Sequence, residues 1–260
     1  MFIVALMELA GDLAVETAAI ASMLGLSAYD VRSRLMGGLP RVLFQSASAE
    51  EATRVEKGLL GRGHGVYVCD DRQIVPHDRM VKLGRFSFDA AGLWAHDRGG
   101  EPLVWRDLGV VVLVSVRSNV RRMTRVRGAN PRAIPRVEEE RVGDDEVITH
   151  AAYLFGRGAA TRPRPPWLLE EETAQYISLG DRMQPTRHQN FITTVNRFRD
   201  LAPEAVFHDR LVSRPQPVDN FVQVHGHPSG SPSTAVASLD LTVQILARWM
   251  MRDRGGPYRG

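Results

Sequence analysis

Along the first seventy residues the spacing of apolar positions changes repeatedly, and each change marks an element. The apolar run FIVALMEL predicts a strand. Helical spacing follows from Ala14 to Met23, breaks at LGLSAYD, and resumes from Ala28 to Leu35. Gly37-Gly38-Leu39-Pro40 stops that second helix. RVLFQSA predicts another strand, and Ala52, Val55, Leu59 and Leu60 then repeat at helical spacing from Ala49 to Leu60. Gly61-Arg62-Gly63-His64-Gly65 leads into a last strand, VYVCD. Ser48 is placed to cap the third helix, with Glu50 and Glu51 favourable in its first turn. Ser27, with Asp30 three residues on, forms a partial capping box for the second. Residues 1–72 therefore predict a small βααβαβ plait, strands on one side and helices on the other.

Residues 73–80, with Pro76, read as a linker. Beyond them the period becomes two. VKLGRFSFD, GLWAH, PLVWRDL and VVVLVSVRS predict four successive strands. Turns fall at Ala90-Ala91-Gly92, Gly99-Gly100 and near Gly109. Residues 117–146 interrupt this pattern with many arginines followed by acids, and Pro131 and Pro135 argue against a helix there. Strand character returns at EVITHAAYLF. RHQNFITTVNRFRDLAP predicts an amphipathic helix with Phe191, Val195 and Phe198 on its apolar face. AVFHDRLV is strand-like, and residues 213–235 are rich in Pro, Ser and Gly. A final helix from Ala237 to Arg252 turns Leu239, Val243, Leu246 and Met250 inward. The predicted fold class is α+β: the plait, then a mostly antiparallel β domain over residues 81–255 with two helices.

Composition narrows the function classes. A chain of 260 residues, 43% hydrophobic and 24% charged, fills two ordinary cores. Net charge is only +3, so any basic surface is local. Lys57 and Lys82 are the only lysines among 33 basic residues, a bias that a GC-rich genome explains unless the arginines share one face. The single cysteine, Cys69, excludes an intramolecular disulfide and a multi-cysteine metal site, and its apolar strand predicts an inert thiol. Glu8, Asp12 and Glu16 make the first residues a poor signal peptide. No stretch is long and uncharged enough to span a bilayer. The expected location is cytoplasmic.

The run from Ala18 to Cys69 resembles the C-terminal domain of the bacterial ribosomal stalk protein, a fold related to the Clp-protease adaptor. The marks are the Leu24-Gly25-Leu26 break, Gly38-Leu39-Pro40 after the second helix, Ser48-Ala49-Glu50-Glu51 opening the third, and the Gly63-His64-Gly65-Val66 turn. The resemblance implies a protein-docking fold. The stalk domain presents lysines on its first two helices. Here that surface carries Glu16, Arg32 and Arg34 instead, which implies a different partner. Tyr29, Arg32 and Arg34 are the candidate docking residues. The segment FSFDAAGLWAHD…LVWRDLGVVVLVSV loosely resembles the opening of a pleckstrin-homology-like barrel.

Two further segments carry candidate chemistry. Arg117, Arg121, Arg122, Arg125 and Arg127 lie in the arginine-rich stretch and suit nucleic-acid phosphates or anionic lipid. The stretch lacks interleaved aromatics for base stacking, and the acids after it cancel much of its charge. A solvated inter-strand loop is the plainer account. His225-Gly226-His227-Pro228-Ser229-Gly230 resembles the zinc motif of JAMM metalloproteases, with Asp240 as the third ligand. In that motif the aspartate follows at a fixed spacing that Ser238-Leu239-Asp240 does not keep, so chance resemblance in a Pro/Ser/Gly-rich tail is the alternative. The remaining histidines, among them His77, His150 and His188, show no ligand spacing. No nucleophile elbow, phosphate loop or dinucleotide fingerprint is present. Trp94, Trp105, Trp167 and Trp249 are expected in the core or at a barrel rim, and of the four Trp167, after Pro165-Pro166, is the one that could be exposed as a loop-tip anchor. The expectation is a non-catalytic protein-binding adaptor or regulator without a cofactor. A zinc hydrolase and an anionic-ligand binder are the alternatives.

Overall fold

The computed structural model describes residues 1–36, 38–97, 99–124, 141–157, 164–217, 221–224 and 234–253, with backbone only at 117–124, 141–146, 214–217, 221–224, 234–238 and 253. The protein is α+β. The first unit runs β1 (Phe2–Glu8), α1 (Leu13–Leu24), α2 (Ala28–Met36), β2 (Arg41–Ser46), α3 (Ala49–Gly61) and β3 (Gly65–Asp70). Its sheet has the order β2-β1-β3, antiparallel throughout. The caps follow the sequence. Asp12 Oδ1 accepts from the backbone N–H groups of Ala14 and Val15, and Ser48 Oγ accepts from Glu51. Ser27 Oγ accepts from the Asp30 N–H and donates to its carboxylate. Gly25 ends α1 in the left-handed region, at φ +66°.

The linker carries two short 3-10 turns, at 71–73 and 77–79. The second part begins with β4 (Val81–Lys82), β5 (Phe86–Phe88), β6 (Gly92–Ala95), β7 (Leu103–Val104), β8 (Leu108–Thr124), β9 (Arg141–Gly156) and β10 (Trp167–Glu170). It continues with a 3-10 segment at 176–182, α4 (Arg187–Leu201), β11 (Val206–Pro217), β12 (Phe221–Val224), β13 (Thr234–Ala237) and α5 (Ser238–Asp253).

The four strands read as one meander divide between two sheets. β5-β6-β7 form a small antiparallel sheet, while β4 and β8 join an open sheet of order β11-β8-β9-β10-β4. That sheet pairs β11 with β8 and β4 with β10 in parallel. Among the described residues it does not close into the barrel that the pleckstrin-like resemblance implied. The reason lies in the run from Val110 to Val116. It is apolar without interruption to Val114, and buried on through Ser115, because both faces of the strand are covered. Residues 117–124 and 141–146, read as part of an interruption, extend β8 and β9 as a paired ribbon, with Arg121 opposite Asp144.

Alternation along each strand sorts the side chains into three cores. Val4, Leu6, Leu43 and Val66 pack under α1–α3. The opposite face of the same sheet, with Ile3, Ala5, Met7, Tyr67 and Cys69, shares a core with Val110, Val112, Tyr153 and Phe155 of the open sheet. Helix α5 fills the space between, through Leu241, Val243, Ile245 and Leu246. The sequence implied one inward stripe on α5, but Leu241 and Ile245, off that stripe, are equally buried because a sheet lies on each side. The far face of the open sheet, with Val111, Leu113, Leu154 and Leu169, packs on Phe191, Val195 and Phe198 of α4 and on the β5–β7 sheet. The molecule is thus layered: α1–α3, first sheet, α5, open sheet, then α4 with the small sheet. Trp167 is 7% exposed, not a loop tip, because Pro165-Pro166 feed directly into β10.

Candidate functional site

Helix α4 lies over the open sheet and leaves a groove of about 660 Å³ along its side. Phe191 and Val195 of α4 and Leu113 of β8 form apolar wall, while Arg199 and Arg210 bring charge to it. The size and the mixture suit a small ligand. Thr186 fixes the start of α4, its Oγ1 accepting from Gln189 N and donating to Gln189 Oε1. His188 therefore projects from the first turn of a capped helix.

At the α4 N-terminal end of this groove three side chains from three elements meet. His150 Nδ1 lies 2.7 Å from Glu171 Oε2, and His188 Nδ1 lies 3.4 Å from the same oxygen. The His150 backbone N–H donates to that oxygen as well, at 3.1 Å. The two imidazole rings sit with centroids 4.7 Å apart. His150 comes from β9, Glu171 from the turn after β10, and both histidines line the groove. The turn is pinned: Arg187 Nη1 donates to the carbonyls of Glu172 and Ala174 at 2.7 and 3.2 Å, and Tyr176 donates to that of Glu171. The three groups offer one ligand atom each, all within 4.8 Å of one another. Nothing in the sequence marks these histidines as a ligand set. Positions 150, 171 and 188 have no regular spacing, and only strand pairing and the α4 packing bring them together.

A second polar cluster lies on the other face of the open sheet. Asp240, on the first turn of α5, is 1% exposed. Tyr153 Oη donates to its Oδ1 at 2.7 Å, and His77 Nδ1 lies 3.2 Å from its Oδ2. His77 Nε2 faces Glu170 Oε1 at 3.6 Å and contacts Lys82 Nζ. The hydrogen bond to Asp240 raises the His77 pKa above its ordinary value, against burial and against the Lys82 charge. Burial, and then the Asp240 charge, push the Tyr153 hydroxyl well up. An aspartate on one imidazole nitrogen is the orienting half of a general-base pair. Here the other nitrogen is engaged by Lys82 and Glu170, so the cluster ties linker, β4, β10 and α5 together.

The remaining sequence candidates are dispersed. His225 and His227 lie outside the described residues, and the Asp240 carboxylate is engaged by Tyr153 and His77. Arg117, Arg121 and Arg122 lie on β8 with only their backbone described, and Arg125 and Arg127 lie outside the described residues. Tyr29, Arg32 and Arg34 are exposed on α2, and Arg34 Nη1 is tethered to the Leu43 carbonyl at 2.9 Å. Glu16, on α1, pairs with Arg62 through both carboxylate oxygens at 2.7 and 3.0 Å. No helix among the described residues is long and apolar enough to cross a membrane. Compared with protein families, curated proteins and solved structures, the chain matches none.

Proposed function

We propose that this chain is a non-catalytic cytoplasmic adaptor that binds a protein through the outer face of α1 and α2. One observation carries the reading. Helix α1 is apolar nearly all round, with Glu16, Thr17 and Ser22 its only polar residues. A helix of that composition is ordinarily covered on every side. Here Val15 is 62% exposed, and on the neighbouring α2 Tyr29 and Met36 are 79% and 75% exposed. On α2, Tyr29, Arg32 and Met36 stand at i, i+3 and i+7, so two large apolar side chains and an arginine share one exposed helix face, the composition of an interaction surface. The stalk-domain resemblance points to the same two helices.

The test compares capture by the full chain and by its Tyr29→Asp/Met36→Asp variant. Both sites are exposed, so the variant is expected to keep the stability of the parent to within about 0.5 kcal/mol per site. A partner retained by the parent and lost by the equally stable variant supports the reading. Identical capture by both overturns it.

A further inference from the structure

We propose that His150, Glu171 and His188 form a binding site for a divalent transition metal of the zinc class, with an exchangeable position opening onto the α4 groove. The inference is independent of the docking surface, which lies on α1 and α2.

The donor set suits such a metal. Two imidazoles and one carboxylate are a zinc ligand set, and three protein ligands leave a fourth position for water or an exchangeable ligand. Imidazole nitrogen favours zinc and its neighbours over magnesium or calcium, which take oxygen. In a tetrahedral site with metal–ligand distances near 2.1 Å, the ligand atoms stand about 3.4 Å apart. The two nitrogens here stand 2.7 and 3.4 Å from Glu171 Oε2, and all three ligand atoms lie within 4.8 Å of one another, so side-chain rotation would bring the set to that spacing.

Hydrogen-bond supply points the same way. A carboxylate oxygen has about two lone-pair sites. Glu171 Oε2 is faced by three nitrogens: the His150 backbone N–H, His150 Nδ1 and His188 Nδ1. One oxygen cannot accept well from all three. A single dication held by both imidazoles and the carboxylate resolves the conflict, leaving the backbone N–H as the one donor.

Preorganisation supports the site as well. Arg187 precedes His188 in α4 and donates to carbonyls of the turn that carries Glu171. The distance between two of the ligands is therefore held by a residue that is not itself a ligand, the arrangement that tightens metal sites. His150 and His188 also line the groove, so the fourth position faces space sufficient for a small molecule.

The experiment uses the full chain, stripped with chelator, and titrates Zn²⁺ by calorimetry and Co²⁺ by visible absorption. Parent, His188→Ala and the double variant His225→Ala/His227→Ala are compared. His188 is exposed on the first turn of α4, so its replacement spares the core. The expected result is one metal per chain, weakened at least about a hundredfold in His188→Ala and unchanged in the double variant. Glu171→Gln, checked for folding by circular dichroism, is expected to weaken binding while leaving His188 in place. Absence of binding to the parent overturns the site. So does binding that survives His188→Ala but is lost in the double variant, which would place the metal on the 225–227 segment.

Discussion

Asp240 sits where water does not reach, and its two polar neighbours govern what its charge does. A buried carboxylate without partners costs far more than one hydrogen bond returns. Tyr153→Phe keeps the ring and removes the donor to Oδ1. The expected loss is about 1–3 kcal/mol in urea unfolding, the penalty for leaving a buried acceptor unmet. His77 gives a pH signature. Asp240 raises its folded pKa above the unfolded value of about 6.5. Protonated His77 therefore stabilises the fold fully below that unfolded value, and the contribution fades as pH rises through the raised folded value. The charged groups that face it are Asp240, Glu170 and Lys82. A His77→Asn variant should be less stable than the parent at about pH 6 and approach it at about pH 9; a deficit constant across that range would refute the linkage. None of these contacts was legible in the sequence. His77, Tyr153 and Asp240 belong to three elements, and nothing local distinguishes an aspartate in a helix's first turn from an ordinary favourable charge there.

At the scale of elements the sequence was far more informative, because local rules decide local structure. Every helix and strand of the first unit lies where the apolar periods place it, and Ser27 and Ser48 act as the caps that their types predict. What failed was the partnering of strands. Alternating residues declare a strand but not which sheet receives it, so β8 could be read into a meander that it does not join. Helix α5 shows a related gap. Its Gln244 is fully buried and mimics a strand, accepting from Val75 N and donating to Val75 O, both at 2.8 Å. Arg248 similarly donates to the side chain of Gln73 at 2.9 Å. In sequence both residues look like the polar face of an amphipathic helix. Gln244→Leu should cost about 1–2 kcal/mol, since it leaves a half-buried donor and acceptor of the linker unpaired together.

Over the whole molecule, one core joins the first strand to the last helix. Ile3 and Ala5 belong to the same apolar cluster as Leu241 and Ile245. During synthesis, however, the chain emerges from its first residue onward. Strands β1–β3 are complete by Asp70, and α5 does not begin until Ser238. At about 5–20 residues per second that interval lasts on the order of ten seconds, against at most about 100 microseconds for hydrophobic collapse. Throughout it the nascent sheet presents Ile3, Met7, Tyr67 and Cys69 with their eventual cover still unmade. The chain thus reaches a half-finished stage on every ribosome with a sticky apolar face that only a chaperone, or a provisional contact with its own later strands, can shield from neighbouring chains.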